Sequence, residues 1–302
     1  MNGFSNMLNS QLILFCYMAA GIYAKKKNII NDNIKNRLID IVLEITLPCM
    51  IFHSFNKPLT MDIIQKTAMV FFVSMSVAMI SYILGKLIYR RYPHEKKIIL
   101  QYATLVNNAG FLGMPLVANV FGSEGILYAA IFTIPNRIMM WTAGLSLFTN
   151  ANLKESTKKI LLNPCIITVY LGILRCLLNI PFPEFFDTAI ANIGAMTSPL
   201  SIMIIGTMLV GVEWKIFWDP SIFYLSFVRL LALPMIALFI LKNMQADSII
   251  TGVSFILTGM PAGATSALLA TKYGADNEFA SACVVTTTLL SLVTAPLLML
   301  LL

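Results

Sequence analysis

The strongest constraint on this chain is a spacing: apolar blocks of about twenty residues recur from end to end, divided by short polar breaks. A helix rising ~1.5 Å per residue needs about that length to cross ~30 Å of hydrocarbon. Composition points the same way. Of 302 residues 58% are hydrophobic and only 12% charged, with a mean hydropathy of +0.80, whereas a soluble domain carries roughly 25% charged residues. A water-soluble fold has no place to hide that much apolar surface. The class predicted is an all-α integral membrane protein with lipid as its solvent.

The spacing predicts ten spans, at 8–24, 35–55, 63–89, 97–121, 126–148, 160–178, 188–210, 221–241, 248–272 and 279–302. The first block has no basic residue ahead of it and ends in Lys25, Lys26 and Lys27 without a small-residue cleavage site, so it reads as a retained helix rather than a signal peptide. Cys16, Cys49, Cys165, Cys176 and Cys283 are scattered through apolar blocks without a CxxC pair or histidines at ligand spacing. They read as packing residues, and neither a metal nor another cofactor is expected. The net charge of +7 does not point to nucleic acid, because aromatics do not interleave with the basic residues. Those residues lie between the apolar blocks.

Their distribution sets a topology. The odd-numbered connections hold 15 of the 21 Lys and Arg residues. These are Lys25, Lys26, Lys27, Lys35 and Arg37; Lys86, Arg90, Arg91, Lys96 and Lys97; Lys154, Lys158 and Lys159; Lys215; and Lys272. The even connections hold Lys57, Lys66 and Lys242. Cytoplasmic loops hold the excess, which predicts a multi-pass protein of the cell membrane with both termini on the extracytoplasmic side.

The chain also echoes itself. A shift of about 151 residues lays Gly21 on Gly172, Ile29 on Ile180 and Pro48 on Pro199. A shift of about 152 lays Gly122 on Gly274, Ala130 on Ala282, and Thr142 with Ala143 on Thr294 with Ala295. Residues 1–150 and 151–302 therefore read as two five-helix repeats. An odd number of spans makes the second repeat enter from the opposite side, which is the inverted arrangement of many secondary transporters.

Spans four and nine are interrupted. The fourth reads LVNNAGFLGMPLVANVFG, with Asn107 and Asn108 one turn ahead of Gly110, Gly113 and Pro115. The ninth reads FILTGMPAGATSALLATKYG, with Thr258, Gly259, Pro261 and Gly263 at its centre. Proline lacks an amide donor and clashes with the carbonyl four residues back, and glycine permits unwinding. Freed backbone groups at that depth must be buried in protein or face a watery cavity. The two prolines are about six residues out of register under the repeat shift, so the symmetry is approximate.

Asn107, Asn108, Gly110, Phe111, Leu112, Gly113, Pro115 and Gly122 resemble the fourth-helix signature of the auxin efflux carrier family, with its plant PIN-FORMED carriers and bacterial malate and malonate permeases. Trp141, Thr142 and Gly144, the pair Arg229 and Pro234, and Gly259, Pro261 and Ala262 fit the same pattern, and the resemblance spans the chain. It implies ten helices in two inverted repeats, with spans four and nine crossing at their breaks to bind an organic anion. It further implies a scaffold of helices 1, 2, 6 and 7, often a homodimer, and a moving transport domain of helices 3–5 and 8–10. The long hydrophilic central loop of the plant carriers is missing here, so the compact bacterial branch is the better match and auxin is not implied.

Charges inside the spans single out further candidates, since each costs at least ~2.5–3.5 kcal/mol at mid-membrane. Arg137 and Arg229 fall near the centres of spans five and eight. Each is either an anion ligand or a scaffold charge bonded to backbone carbonyls or to Glu44. Leu289 and Ala78 take their places under the repeat shift, so neither has a basic counterpart. Arg175 is close enough to its helix end to snorkel. Glu44, with Asp40 one turn before it, is either a coupling-proton site or the neutraliser of an arginine, and His53 reads as interfacial. Two central arginines and two asparagines at a broken helix favour a small organic anion, a mono- or dicarboxylate, moved by alternating access. A channel, a ligand sensor and a cation-coupled exchanger on the same architecture stay open. An enzyme does not fit: His53 and His94 form no HExxH, and the GATSA stretch around Ser266 has no partner base.

Overall fold

Polar caps start four helices of the computed structural model, and prolines lie where the pitch of others changes. The structure describes residues 2–55, 60–148, 158, 161–178, 182–208, 210 and 218–302. Lys57, Lys154, Lys159 and Lys215, which enter the topology argument, lie outside the described residues. Helix α1 is Asn2–Lys26, α2 Asp32–Ile41, α3 Leu47–Ser54, α4 Met61–Ile88, α5 His94–Leu105 and α6 Met114–Met139. They are followed by α7 Pro164–Leu178, α8 Glu184–Ala195, α9 Thr197–Met208, α10 Pro220–Phe227 and α11 Leu233–Asn243. The last three are α12 Ser248–Thr258, α13 Thr265–Lys272 and α14 Asn277–Met299. Side chains of Asn31, Asp219, Asp247 and Asp276 accept from first-turn amides of α2, α10, α12 and α14, the usual work of an N-cap.

Among the described residues the chain is helical apart from turns and one isolated bridge. Five helical stretches are long and apolar enough to cross a membrane: Met61–Ile88, Met114–Leu147, Glu184–Thr207, Pro220–Asn243 and Asn277–Met299. Pro164–Leu178 and Ser248–Thr258 are shorter apolar helices. Large apolar side chains such as Phe72, Phe239 and Val293 stand more than half exposed, as a lipid-facing surface requires and a soluble protein avoids.

Several spans read as single helices from the sequence are jointed. Pro48 and Pro234 sit near the starts of α3 and α11, each behind a π-helical turn, Val42–Thr46 and Val228–Ala232. The wider turn makes room for a proline that would clash with the carbonyl four residues back, so the helix continues where it would otherwise stop. The boundary expected near residues 121–126 is a single left-handed residue, Gly122, with φ 62° inside α6. Gly274, after α13, has φ 70°, a conformation that costs a residue with a Cβ ~1–2 kcal/mol.

The chain divides into two compact units, each drawing segments from both halves of the sequence. The first holds Met1–Ala68, Gly110–Ile131 and Leu161–Val212. Glycines let its helices touch: a Cβ on Gly21 would lie 2.0 Å from the Met203 carbonyl oxygen, and one on Gly206 2.2 Å from that of Met18. Buried Thr197 donates to Thr46, 151 residues away, at 3.0 Å. Arg175 does not snorkel as expected. It is 8% exposed, paired with Asp187 at 2.7 Å and stacked over the Phe52 and Phe182 rings, because Asp187 on α8 offers a nearer counter-charge than water. His53 is half-buried, and of the five cysteines Cys16 is exposed rather than packed.

The second unit holds Met69–Ala109, Phe132–Ile160 and Glu213–Leu302. One cluster of buried side chains, including Tyr89, Ile99, Leu100, Ile222, Leu225 and Phe279, packs α5, α10 and α14 together. Another, with Ala78, Tyr102, Val106, Met140 and Leu269, joins α4, α5, the end of span five and α13.

Candidate functional site

Within the second unit the two interrupted spans meet. Helix α5 ends at Leu105, Val106 turns extended, and α12 ends at Thr258 with α13 starting only at Thr265. The freed backbone groups find each other. Asn107 and Ala262 form an antiparallel bridge, the Asn108 amide donates to the Pro261 carbonyl at 2.8 Å, and the Gly263 amide to that of Val106 at 2.9 Å. A Cβ on Gly263 would stand 3.1 Å from Val106 Cγ1 and 3.2 Å from the Asn107 carbonyl oxygen, so the smallest residue permits this approach. The Ala262 amide donates to Thr287 Oγ1 at 3.1 Å, which fixes the bridge to α14.

The fourth span opens earlier than its glycines and proline suggested. The break is at Val106, Asn107 and Asn108. Chain from Ala109 to Gly113 forms a π-helical turn, and Pro115 is the second residue of α6, where its missing amide leaves no hydrogen bond unmade. Gly110 is half-buried and Gly113 and Pro115 are buried. These three lie in the Gly110–Ile131 segment of the first unit.

Asn107 braces the gap with its side chain. Its Nδ2 donates to the Leu257 carbonyl at 2.7 Å, and its Oδ1 accepts a hydrogen bond from Asn136 Nδ2 on α6. Thr258 is fully buried and its hydroxyl donates to the Ser254 carbonyl at 2.7 Å. Gly259 closes α12 against Leu298.

Of the roles left open for it, Arg229 takes that of a scaffold charge. It is 1% exposed and uses three nitrogens on three carbonyls: Nη1 on Thr104 at 2.7 Å, Nη2 on Thr258 at 3.0 Å and Nε on Met260 at 3.0 Å. Thr104 and Thr258 belong to the last turns of α5 and α12, neither of which carries a basic residue of its own. A helix C-terminus bears roughly half a negative charge, and Arg229 neutralises two at once.

Arg137 differs. It is half-buried, and no hydrogen bond or ion pair reaches its side chain among the described residues. Its charge acts on buried Tyr102, whose hydroxyl donates to Thr265 Oγ1 at 3.1 Å. Thr265 is the first residue of α13, whose N-cap, Ala264, offers no side-chain acceptor and whose first turn has no acid. Tyr102 thus links the start of α13 to the Arg137 charge, while Asn136 bonds Asn107 at the bridge. The sequence reading missed Asn136, Tyr102, Thr265 and Thr287. Only Asn136 carried a signal, an amide beside a mid-span arginine.

Glu44 and Asp40 stand elsewhere. The carboxylate expected to be buried is exposed on the π-helical turn of the first unit, because Pro48 widens that turn and rotates the Glu44 side chain outward. Asp40 is exposed and lies 3.7 Å from Arg37. Neither neutralises Arg229.

A concavity of about 480 Å³, lined by Lys96, Trp218, Asp219, Pro220, Asp276, Glu278 and Phe279, opens where α5, α10 and α14 begin. Lys96 bonds Asp219 at 2.5 Å across it. Burial alone would raise the Asp219 carboxyl, but Lys96 and two Ser221 donors outweigh it and hold the group below the usual carboxylate range.

Comparison with known proteins gives matches along nearly the whole chain. The model of a family described as membrane transport protein matches residues 7–299. An uncharacterized transporter of Methanocaldococcus jannaschii is 23% identical over 293 residues, covering 93% of this chain and 94% of its own. An uncharacterized transporter of Methanothermobacter thermautotrophicus is 24% identical over 298 residues, covering 97% and 98%.

Proposed function

Since the chain belongs to the membrane transport protein family, that of the auxin efflux carriers, we propose that it is a secondary carrier of small organic anions. The substrates are mono- or dicarboxylates of malate-like size, moved across the cell membrane by alternating access. One observation carries this reading: the division of charge at the paired breaks. Arg229 takes up the carbonyl ends of α5 and α12. The first turn of α13 holds no acid, and among the described residues none pairs with the half-buried Arg137. A carboxylate completes that arrangement, with the Arg137 fork supplying two parallel donors. Asn107 and Asn136 hold the gap open beside it, and Tyr102 and Thr265 orient the ligand.

Two inverted repeats supply the movement. Three features support their relationship. Thr46 and Thr197 are one repeat length apart and bond to each other, as residues on a pseudo-two-fold axis do. Gly122 and Gly274, also one repeat apart, both adopt the left-handed conformation. The bridge in the second unit pairs residues close to one repeat apart, Asn108 donating to Pro261. Ten spans with both termini outside remain the topology that fits the basic connections.

The test is counterflow in proteoliposomes. Unlabelled malate or malonate inside should accelerate uptake of the same labelled acid in a saturable way, and sugars and amines should not. Flux that fails to saturate would make the protein a channel, and binding without flux would make it a sensor.

A further inference from the structure

The concavity at the starts of α5, α10 and α14 takes no part in the anion site, yet its walls favour one kind of charge. The single basic side chain that lines it is already engaged. Lys96 is paired with Asp219, and its ammonium lies 5.0 Å from the centre of the Phe279 ring. Two further carboxylates line the same space. One oxygen of Asp276 caps α14 by accepting from the Phe279 amide, while its other oxygen and the Glu278 carboxylate have no basic partner among the described residues. Trp218 forms another wall and stands 76% exposed. Its ring lies 6.2 Å from that of Phe223. From there a stripe of exposed apolar side chains descends at four-residue steps, Phe223, Phe227, Leu231, Met235 and Phe239, along the membrane-crossing stretch Pro220–Asn243. The concavity therefore sits where the polar connections give way to a lipid-facing helix, the level at which tryptophan is enriched.

We propose that this concavity is a seat for a phospholipid whose headgroup ends in a primary ammonium, such as phosphatidylethanolamine. An ammonium brings three N–H donors, and the free oxygen of Asp276 with the two of Glu278 supplies three acceptors for charge-assisted bonds. The indole face of Trp218 attracts the same cation. The acyl chains lie along the stripe that starts at Phe223, which gives a tailed ligand an advantage over a free amine. An anionic headgroup without an amine meets two carboxylates and a lysine already paired. The trimethylammonium of phosphatidylcholine keeps the attraction to the indole but has no N–H to donate. A lipid held here ties together the first turns of α10 and α14, and α14 carries Thr287, which anchors the bridge between the broken spans. The site stands apart from that of the transported anion and does not depend on its identity.

The full chain, purified in a mild detergent, is melted with increasing dioleoyl phosphatidylethanolamine, phosphatidylcholine or phosphatidylglycerol. A fourth series uses glycerophosphoethanolamine, the same headgroup without its tails. Phosphatidylethanolamine should raise the wild-type melting temperature by several degrees and saturate. Phosphatidylcholine should need about tenfold more or worse, having lost the charge-assisted bonds, and the other two should have no effect over the same range. Asp276→Asn combined with Glu278→Gln keeps the α14 cap, since asparagine caps as well as aspartate does. That variant should melt near wild type in detergent alone and lose the preference for phosphatidylethanolamine. Trp218→Ala, at an exposed position, should weaken the preference too. Equal stabilisation of wild type by phosphatidylglycerol or phosphatidylcholine overturns the proposal, as does a double variant that keeps the full preference. Glycerophosphoethanolamine acting at the concentrations of the lipid also overturns it, making this a site for a soluble amine. If the double variant does not fold, the lipid series and Trp218→Ala decide, and a Trp218→Ala protein with the wild-type preference rejects the site.

Discussion

Replacing Asn107 by leucine tests whether the gap between the broken spans is held by side chains as well as by the backbone bridge. The substitution removes the 2.7 Å bond to the Leu257 carbonyl and the acceptor for Asn136 Nδ2. Each buried group left unpaired costs ~1–3 kcal/mol, and the added apolar side chain returns roughly 1 kcal/mol. The variant should therefore be about 1–5 kcal/mol less stable. Asn136→Leu breaks only the second bond and should cost less, ~1–2 kcal/mol. Interhelical hydrogen bonds in membranes average ~0.6 kcal/mol in double-mutant cycles and reach ~1.7, so the coupling between the two positions should fall near the upper figure. The assay is equilibrium unfolding in mixed detergent micelles of wild type, both single variants and the double variant. Coupling indistinguishable from zero would refute the bracing role. A loss for Asn107→Leu no larger than that for Asn136→Leu would show that the Leu257 bond contributes nothing.

Arg137→Gln should leave the melting temperature within a degree or two and weaken carboxylate binding by roughly 10- to 100-fold, the loss of a charge-assisted pair worth ~1.5–3 kcal/mol, read by ligand-induced thermal shift. Gly21→Ala or Gly206→Ala should destabilise the first unit severely, because the new methyl meets a carbonyl oxygen at 2.0 or 2.2 Å; thermal unfolding checks this, and a native melting curve would contradict it. The folded carboxyl of Asp219 lies below its unfolded value, so its stabilising contribution is present above pH ~4 and is lost as the pH falls through the folded value. Melting between pH 6 and 3 should fall less for Asp219→Asn than for wild type.

Helix positions were legible because burial in lipid demands length, and length is written plainly in the sequence. Caps such as Asp219, Asp247 and Asp276 lay at the expected polar breaks. Finer joints were not legible. Pro115 marked the right span but not the right residue, since a proline near a helix start is harmless and the chain opened upstream at Val106–Asn108 instead. Pro48 had a further effect that composition alone does not reveal: the π-helical turn ahead of it sends Glu44 to the surface. Arg229 and Arg137 look alike in sequence, each a lone arginine in an apolar span. Only packing separates them, because one bonds three carbonyls across the unit and the other makes no hydrogen bond among the described residues. Asn136, Tyr102, Thr265 and Thr287 act through partners up to 163 residues away, a relation that local pattern does not encode.

The central claim is that an organic anion sits where α13 begins, beside Arg137. Ala264→Cys, placed in a functional background with all five native cysteines replaced, reports on that spot directly through its rate of reaction with a small thiol reagent. A transported carboxylate should slow the reaction in a saturable way, at concentrations matching its transport, and adding Arg137→Gln should shift that protection to far higher concentrations. A carboxylate that is transported yet leaves the Ala264→Cys reaction rate unchanged would place the ligand elsewhere and contradict the account.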